Sequence, residues 1–108
     1  MDIINDIGPS AYLTFDLYLD DKLYAIFKYI LTEVKNMNDK HISLCGSVDR
    51  EGLFRGNKLR LVYDTTKGTF KRLSRNTAYN YKFVLNTNTK NSTGSHNTSV
   101  MERLLKKL

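Results

Sequence analysis

Residues 41–85, HISLCGSVDREGLFRGNKLRLVYDTTKGTFKRLSRNTAYNYKFVL, hold the longest series of strand-like segments in the chain and most of its surplus of basic side chains. Within them, residues 58–64 alternate, so that Leu59, Leu61 and Tyr63 share one face. A four-residue turn over 65–68 would place Tyr63 opposite Phe70, whereas a two-residue turn would mix polar and apolar faces. The pattern predicts an antiparallel hairpin here, with further strands beginning near residues 41 and 79.

Two segments precede this stretch, and they predict a strand and a helix that packs on it. Residues 11–19 alternate, with Leu13, Phe15, Leu17 and Leu19 on one face, which is typical of a half-buried strand. Residues 22–35 then carry apolar side chains at helical spacing, and Asp20 or Asp21 can cap a helix start. These apolar residues are Leu23, Ile26, Phe27, Ile30, Leu31 and Val34. The spacing predicts the main amphipathic helix of the protein.

The last part of the chain consists of a polar segment followed by an amphipathic one. Residues 86–98 are a run of Asn, Thr, Ser, Lys and Gly, which predicts a flexible polar loop. Residues 99–108 begin with a capping box formed by Ser99 and Glu102 and continue as a C-terminal amphipathic helix. So short a helix must dock on another surface, either its own sheet, a partner, or a second copy in a homodimer. At the other end, residues 1–7 have the spacing of a short helix that Gly8 and Pro9 would end.

Together these elements predict the α+β class. A chain of 108 residues with 41% apolar side chains is long enough for one domain, which spans residues 1–108. We expect a mostly antiparallel sheet of four to six strands, the helix over 22–35 packed on it, and the short C-terminal helix.

The charge of the chain is unevenly distributed. Residues 1–39 contain seven acidic and three basic side chains, a net of −4, whereas residues 40–108 contain fourteen basic and four acidic ones, a net of +10. Such asymmetry favours a polyanionic partner for the basic part, although charged faces also serve solubility alone.

The predicted strands and turns bring candidate nucleic-acid-binding residues to one face. Basic side chains neutralise phosphates, and interleaved Phe70, Tyr79 and Tyr81 could stack on bases, although core packing explains the aromatics better. Residues 73–79 also weakly resemble the start of a helix-turn-helix recognition helix, but no suitable partner helix precedes them. The candidates are Arg55, Lys58, Arg60, Lys67, Lys71, Arg72, Arg75 and Lys82.

The sequence offers little for catalysis, metal binding or membrane insertion. His41 and Cys45 would lie about 13 Å apart on a strand, too far for a thiolate–imidazole pair, and His96 falls in the predicted loop. We expect no cofactor, no metal and no enzyme activity, with a small ribonuclease-type toxin as the less favoured reading. No apolar run reaches membrane-spanning length, and the acidic N-terminus is unlike a secretory signal, so we expect a cytoplasmic protein.

These observations favour a small non-enzymatic protein that binds DNA or RNA through phosphates on a basic β-sheet face. The bias toward Asn, Lys, Ile and Tyr suits an AT-rich genome, such as that of a phage, virus or mobile element. The alternative is a phage or mobile-element protein that binds and inhibits or regulates a host protein or ribonucleoprotein, for example a defence inhibitor.

Overall fold

The computed structural model describes residues 12–50, 54, 57–73, 81–87 and 93–107. They form six strands followed by one helix. The elements are β1 (Tyr12–Leu19), β2 (Lys22–Asn36), β3 (His41–Val48), β4 (Lys58–Asp64), β5 (Thr69–Arg72), β6 (Tyr81–Leu85) and α1 (Thr93–Lys107). The helix expected over 1–7 lies outside the described residues.

Each strand pairs antiparallel with the next, and β6 returns to pair with β1, so the six strands close into a barrel. The β1–β2 connection is the tightest, because only Asp20 and Asp21 separate the two strands. Both residues have positive φ values, 51° and 67°, as a two-residue type I′ hairpin requires, and Asp tolerates this region better than most residues. The two aspartates therefore form a turn and do not cap a helix.

The β4–β5 hairpin confirms the predicted four-residue turn. Tyr63 lies opposite Phe70 and Val62 opposite Lys71, which keeps the two aromatic residues together on the inner face and Val62 with Lys71 on the outer face. Gly68 adopts the left-handed conformation (φ 68°) and donates its amide to the Asp64 carbonyl over 2.7 Å.

The barrel interior is filled with side chains. On β1, Leu13, Phe15 and Leu17 are fully buried, and the Phe15 ring packs edge-on against Phe70 with centroids 4.9 Å apart. Tyr29 is also fully buried, and its hydroxyl donates to the Leu59 carbonyl over 2.7 Å. Burial raises the pKa of this phenol, so it stays a neutral donor. A six-stranded barrel is narrow enough for side chains to occupy its interior, which leaves the outer surface for partners.

The predicted helix over 22–35, and with it the α+β sheet-and-helix arrangement, is wrong. This segment is β2, a 15-residue strand that pairs with β1 and β3. Its inward residues alternate, with Ala25, Phe27, Tyr29 and Leu31 buried. Leu23, Ile26 and Ile30 lie on the outer face, so apolar residues on both faces of a strand produced an apparent helical stripe.

The C-terminal helix is present but begins at Thr93, six residues before the predicted start, within the segment expected to be a flexible polar loop. Val100, Met101 and Leu104 are buried among the core residues, so the helix docks on its own barrel. Its polar first half is held through Asn97, which is 2% exposed. The Asn97 side chain accepts from the Thr14 amide and donates to the carbonyls of Thr14 and Asn86. These hydrogen bonds explain why a segment with few apolar residues is ordered.

Candidate nucleic-acid interface

Four of the candidate residues lie on the outer face of β4, β5 and β6, as their alternation predicted. Lys58 and Arg60 project from β4, Lys71 from β5 and Lys82 from β6, and all four are exposed. We call these four residues the basic face. Lys67 is exposed in the β4–β5 turn, at the end of the same hairpin.

The strand register brings two residues of the basic face close together. Phe70 of β5 pairs with Phe83 of β6, and the outward residues Lys71 and Lys82 adjoin this pair, one on each strand. Outward side chains this close on adjacent strands can contact neighbouring phosphates. Their mutual repulsion would be relieved by a bound anion.

Arg72 belongs to the other side of β5. It pairs with Leu61, whose side chain is fully buried, and its guanidinium lies 4.9 Å from the centre of the Phe54 ring. A cation over an aromatic face is held there by electrostatic attraction. Arg72 is therefore separated from the basic face, while Arg55 and Arg75 lie outside the described residues.

The net charge differs between the two halves of the barrel wall. The described residues of β4–β6 and their turns, 57–73 and 81–87, carry six basic side chains and one carboxylate, a net of +5. Residues 12–50, which contain β1–β3, carry five basic and six acidic side chains, a net of −1. The positive charge is thus concentrated on one half of the wall.

Carboxylates neutralise little of the basic face. Among the described residues, the ion pairs are Lys35 with Glu33 and His41 with Asp64 (3.6 Å), neither of which involves the basic face. The hydrogen bond and charge of Lys35 hold the pKa of Glu33 below its usual value, with a smaller contribution from the Arg60 charge. Hydrogen bonds from Thr66, first from its hydroxyl, and from the Lys67 amide lower the pKa of Asp64 to about 2.

The aromatic residues proposed as stacking platforms are placed differently. Phe70 is 7% exposed, and Tyr81 is partly buried and packs against the core. Tyr79 lies outside the described residues. The basic face therefore offers charge without an aromatic platform from the described part of β5 or β6.

Among the residues that the structure describes, the remaining titratable side chains form no recognisable catalytic group. His41 directs Nδ1 at the side-chain Oδ1 of Asn38 (3.0 Å) and Nε2 at the Asp64 carboxylate, beside a cleft of about 510 Å³. Cys45 is half-buried on the outer wall, opposite Arg60. His96 lies in α1, where its ring stacks on Tyr12 at 4.1 Å. Within the described ranges, no three metal-ligating side chains are close enough to hold an ion.

The sequence interpretation missed one surface feature. The outer face of β2 exposes four large apolar side chains, because the segment is a strand and its outward residues have no covering layer. Assigning residues 22–35 to a helix had placed Leu23, Ile26 and Ile30 in the core. The Asp20–Asp21 pair indicates the correct assignment only weakly, because Asp tolerates the positive φ of a two-residue turn but lacks the Gly that typically marks one. These four residues, Leu23, Tyr24, Ile26 and Ile30, are named the β2 stripe below.

Comparison of the chain with protein-family models, with curated proteins and with solved structures finds no match. In the part of the chain that the structure describes, no helix has the length and apolar character needed to cross a bilayer.

Proposed function

We propose that this protein is a non-enzymatic nucleic-acid-binding protein that contacts the phosphate backbone with its basic face. The observation that carries the proposal is the uneven charge around the barrel wall: the described residues of β4–β6 and their turns carry +5, or +4 without Arg72, against −1 on residues 12–50. Exposed cations displace the counterions of a polyanion, and this release favours binding without reading the base sequence.

The contact chemistry argues for phosphates over bases. Lys58, Arg60, Lys71 and Lys82 end in charged donors, and the nearby aromatic rings of Phe70 and Tyr81 are turned toward the core. Phosphate contacts position a protein on nucleic acid but carry no direct sequence information. We therefore expect weak, salt-sensitive binding with little preference among sequences.

The test is fluorescence anisotropy with a labelled strand of about 20 nucleotides, longer than the ~4–16 nucleotides that one small barrel covers, and with its duplex. If four side chains contact phosphates, the logarithm of affinity should fall with the logarithm of salt concentration with a slope of about −3 to −4. Lys71→Glu and Lys82→Glu should each weaken binding roughly tenfold and reduce that slope by about 1.

Lys106→Glu is the matched control, because Lys106 is exposed on α1 and the substitution changes net charge by the same amount. Its affinity should stay within about twofold of the unmodified protein. An equal loss in Lys106→Glu would mean that net charge alone governs binding. Absence of binding at low salt would reject the proposal in favour of the host-protein alternative, which predicts a stoichiometric complex that survives nuclease and moderate salt.

A further inference from the structure

The barrel wall is weakly joined between β5 and β6. β5 has four residues, and its ladder with β6 consists of one pair, Phe70 with Phe83. Every other pair of neighbouring strands in the described barrel is joined by at least four such pairs. Toward the β4–β5 turn, Thr69 and Val84 would form the next pair, but the ladder does not continue there. An opening therefore lies between the two strands at this end.

A cavity of about 260 Å³ occupies the opening. Its lining includes Lys82 and Val84, which point outward from β6, and Phe83 and Leu85, which pack against the core. Successive side chains of a strand point to opposite faces of the sheet. A cavity lined by both sets therefore reaches from the outer surface into the wall of the barrel.

The lining combines apolar surface with one cation. Phe70, Phe83, Val84 and Leu85 supply apolar surface, and Lys82 is the charged residue among the described side chains that line the cavity. The volume lies below the range of about 300–1,000 Å³ that is typical of drug-sized ligands, so the cavity suits a small ring system. A nucleotide matches this lining, because its flat base is largely apolar on both faces and its phosphate can contact the ammonium group.

Further cations lie beside the opening and continue this match. Lys67 precedes the lining residue Gly68, and Lys71 follows the lining residue Phe70. Both lysines are exposed. A nucleotide held in the cavity would thus have cations near it for the phosphates on either side, which favours a nucleic-acid strand over an isolated nucleotide.

Three carboxylates lie near the same opening, and two of them accept hydrogen bonds from other groups. Asp64 accepts three hydrogen bonds from the β4–β5 turn. Asp16, on β1 beside β6, accepts from the Asn86 side chain over 2.7 Å. Asp21 lines a separate depression with Lys82, but within the described residues no ion pair joins the two. Lys82 therefore remains available to an anion at the cavity.

A base in this cavity must be unpaired. Bases of a duplex are paired and stacked on their neighbours, whereas bases of a single strand can turn outward and enter a protein site. A duplex carries more phosphates per unit length, so phosphate contacts alone would favour the duplex. A preference for the single strand would consequently come from the base.

We propose that the β5–β6 cavity holds one base of a single-stranded nucleic acid, while Lys71 and Lys82 contact its phosphates. This inference rests on the proposed function and adds the class of nucleic acid that the protein binds. Because most of the lining is apolar, the cavity accepts different bases, in agreement with binding that has little sequence preference.

Fluorescence anisotropy with three ligands at one salt concentration tests the inference. The ligands are the labelled strand used above, its duplex, and a strand of the same length built from abasic residues. The ordinary strand should bind at least fivefold more tightly than the abasic strand, which is the lower end of the effect of one base in single-strand binding proteins. It should also bind more tightly than the duplex.

Thr69→Leu tests the cavity itself, because it enlarges an exposed lining side chain without changing charge. This variant should weaken binding of the ordinary strand about fivefold, leave the salt slope unchanged, and bind the abasic strand within about twofold of the unmodified protein. Thr32→Leu is the matched control, because Thr32 is an exposed threonine on the outer face of β2, beyond the β2 stripe and outside the cavity lining. Its affinities should not change.

The outcomes separate this inference from the proposed function. Equal affinity for the ordinary and abasic strands, tighter binding of the duplex, or an equal effect of Thr69→Leu on both strands would overturn the cavity assignment and leave phosphate binding intact. Loss of binding to all three ligands would overturn both. Thermal unfolding checks that each variant is folded, and if Thr69→Leu is not, the comparison of ordinary and abasic strands decides.

Discussion

The attachment of α1 to the barrel depends on Asn97, which makes Asn97→Leu the most informative stability test. Leucine has a similar volume but cannot form the three hydrogen bonds of the asparagine side chain, which measure 2.8, 2.8 and 2.9 Å. The Thr14 carbonyl would keep a second donor, the Asn86 amide at 2.9 Å. The Thr14 amide and the Asn86 carbonyl would both lose their Asn97 partner.

Leaving the Thr14 amide unsatisfied costs about 1–3 kcal/mol, and the Asn86 carbonyl loses one hydrogen bond in a residue that takes part in further interactions, so we expect a loss of about 1–3 kcal/mol. That is a large fraction of the ~5–15 kcal/mol by which small domains are usually stable. Urea unfolding followed by far-UV circular dichroism measures the change. The expected result is a lower midpoint with an unchanged slope.

Two variants control the interpretation. Thr98→Ala removes the bond from an exposed hydroxyl to the Gly94 carbonyl (2.9 Å) in the same helix and should change stability by less than about 0.5 kcal/mol. Asn97→Asp keeps an acceptor for the Thr14 amide but turns an oxygen toward two carbonyls, so it should be at least as destabilising as Asn97→Leu. A loss below about 0.5 kcal/mol in Asn97→Leu would refute the assignment of Asn97 as the anchor of α1.

Two further predictions concern the barrel wall. Gly46→Ala should destabilise the protein by about 1–3 kcal/mol, because the alanine Cβ would lie 2.5 Å from the Ile30 carbonyl oxygen and 2.7 Å from the Tyr29 ring. Thermal unfolding should show a lower Tm for this variant than for the control variant Ser47→Ala. Equal Tm values would contradict the close contact at Gly46. Because the pKa of Asp64 is lowered from 3.8 to about 2, its carboxylate stabilises the fold above pH 4, and this contribution is lost as pH falls toward 2. Thr66→Val removes the largest cause, so NMR titration should find the Asp64 pKa closer to 3.8; an unchanged value would contradict that cause.

Much of the barrel wall outside β2 could be predicted because one face of these strands is buried and the other is mostly polar. Residues 12–19 and 58–64 follow this rule, and face consistency alone selected the correct β4–β5 turn. The outward positions of Lys58, Arg60, Lys71 and Lys82 follow from the same alternation.

The misassigned elements break that rule for physical reasons. On β2 apolar side chains occupy both faces, so period-2 and period-3.6 patterns coexist, and the length of 15 residues favoured a helix. The start of α1 could not be predicted from hydropathy, because the first half of the helix is held by hydrogen bonds of the Asn97 side chain. Barrel closure depends on pairing between β1 and β6, two segments separated by some sixty residues, and no local pattern records it.

That same pairing has a consequence for how the protein is made. The seam joins Phe15 to Leu85 and Leu19 to Tyr81, so the wall cannot close until most of the polypeptide has left the ribosome. Until then β1 presents an unpaired edge to the crowded interior of the cell. Such distant pairing is slow compared with hairpin formation. We therefore expect truncation before residue 81 to yield an aggregation-prone chain, even though the β1–β5 segment would be complete.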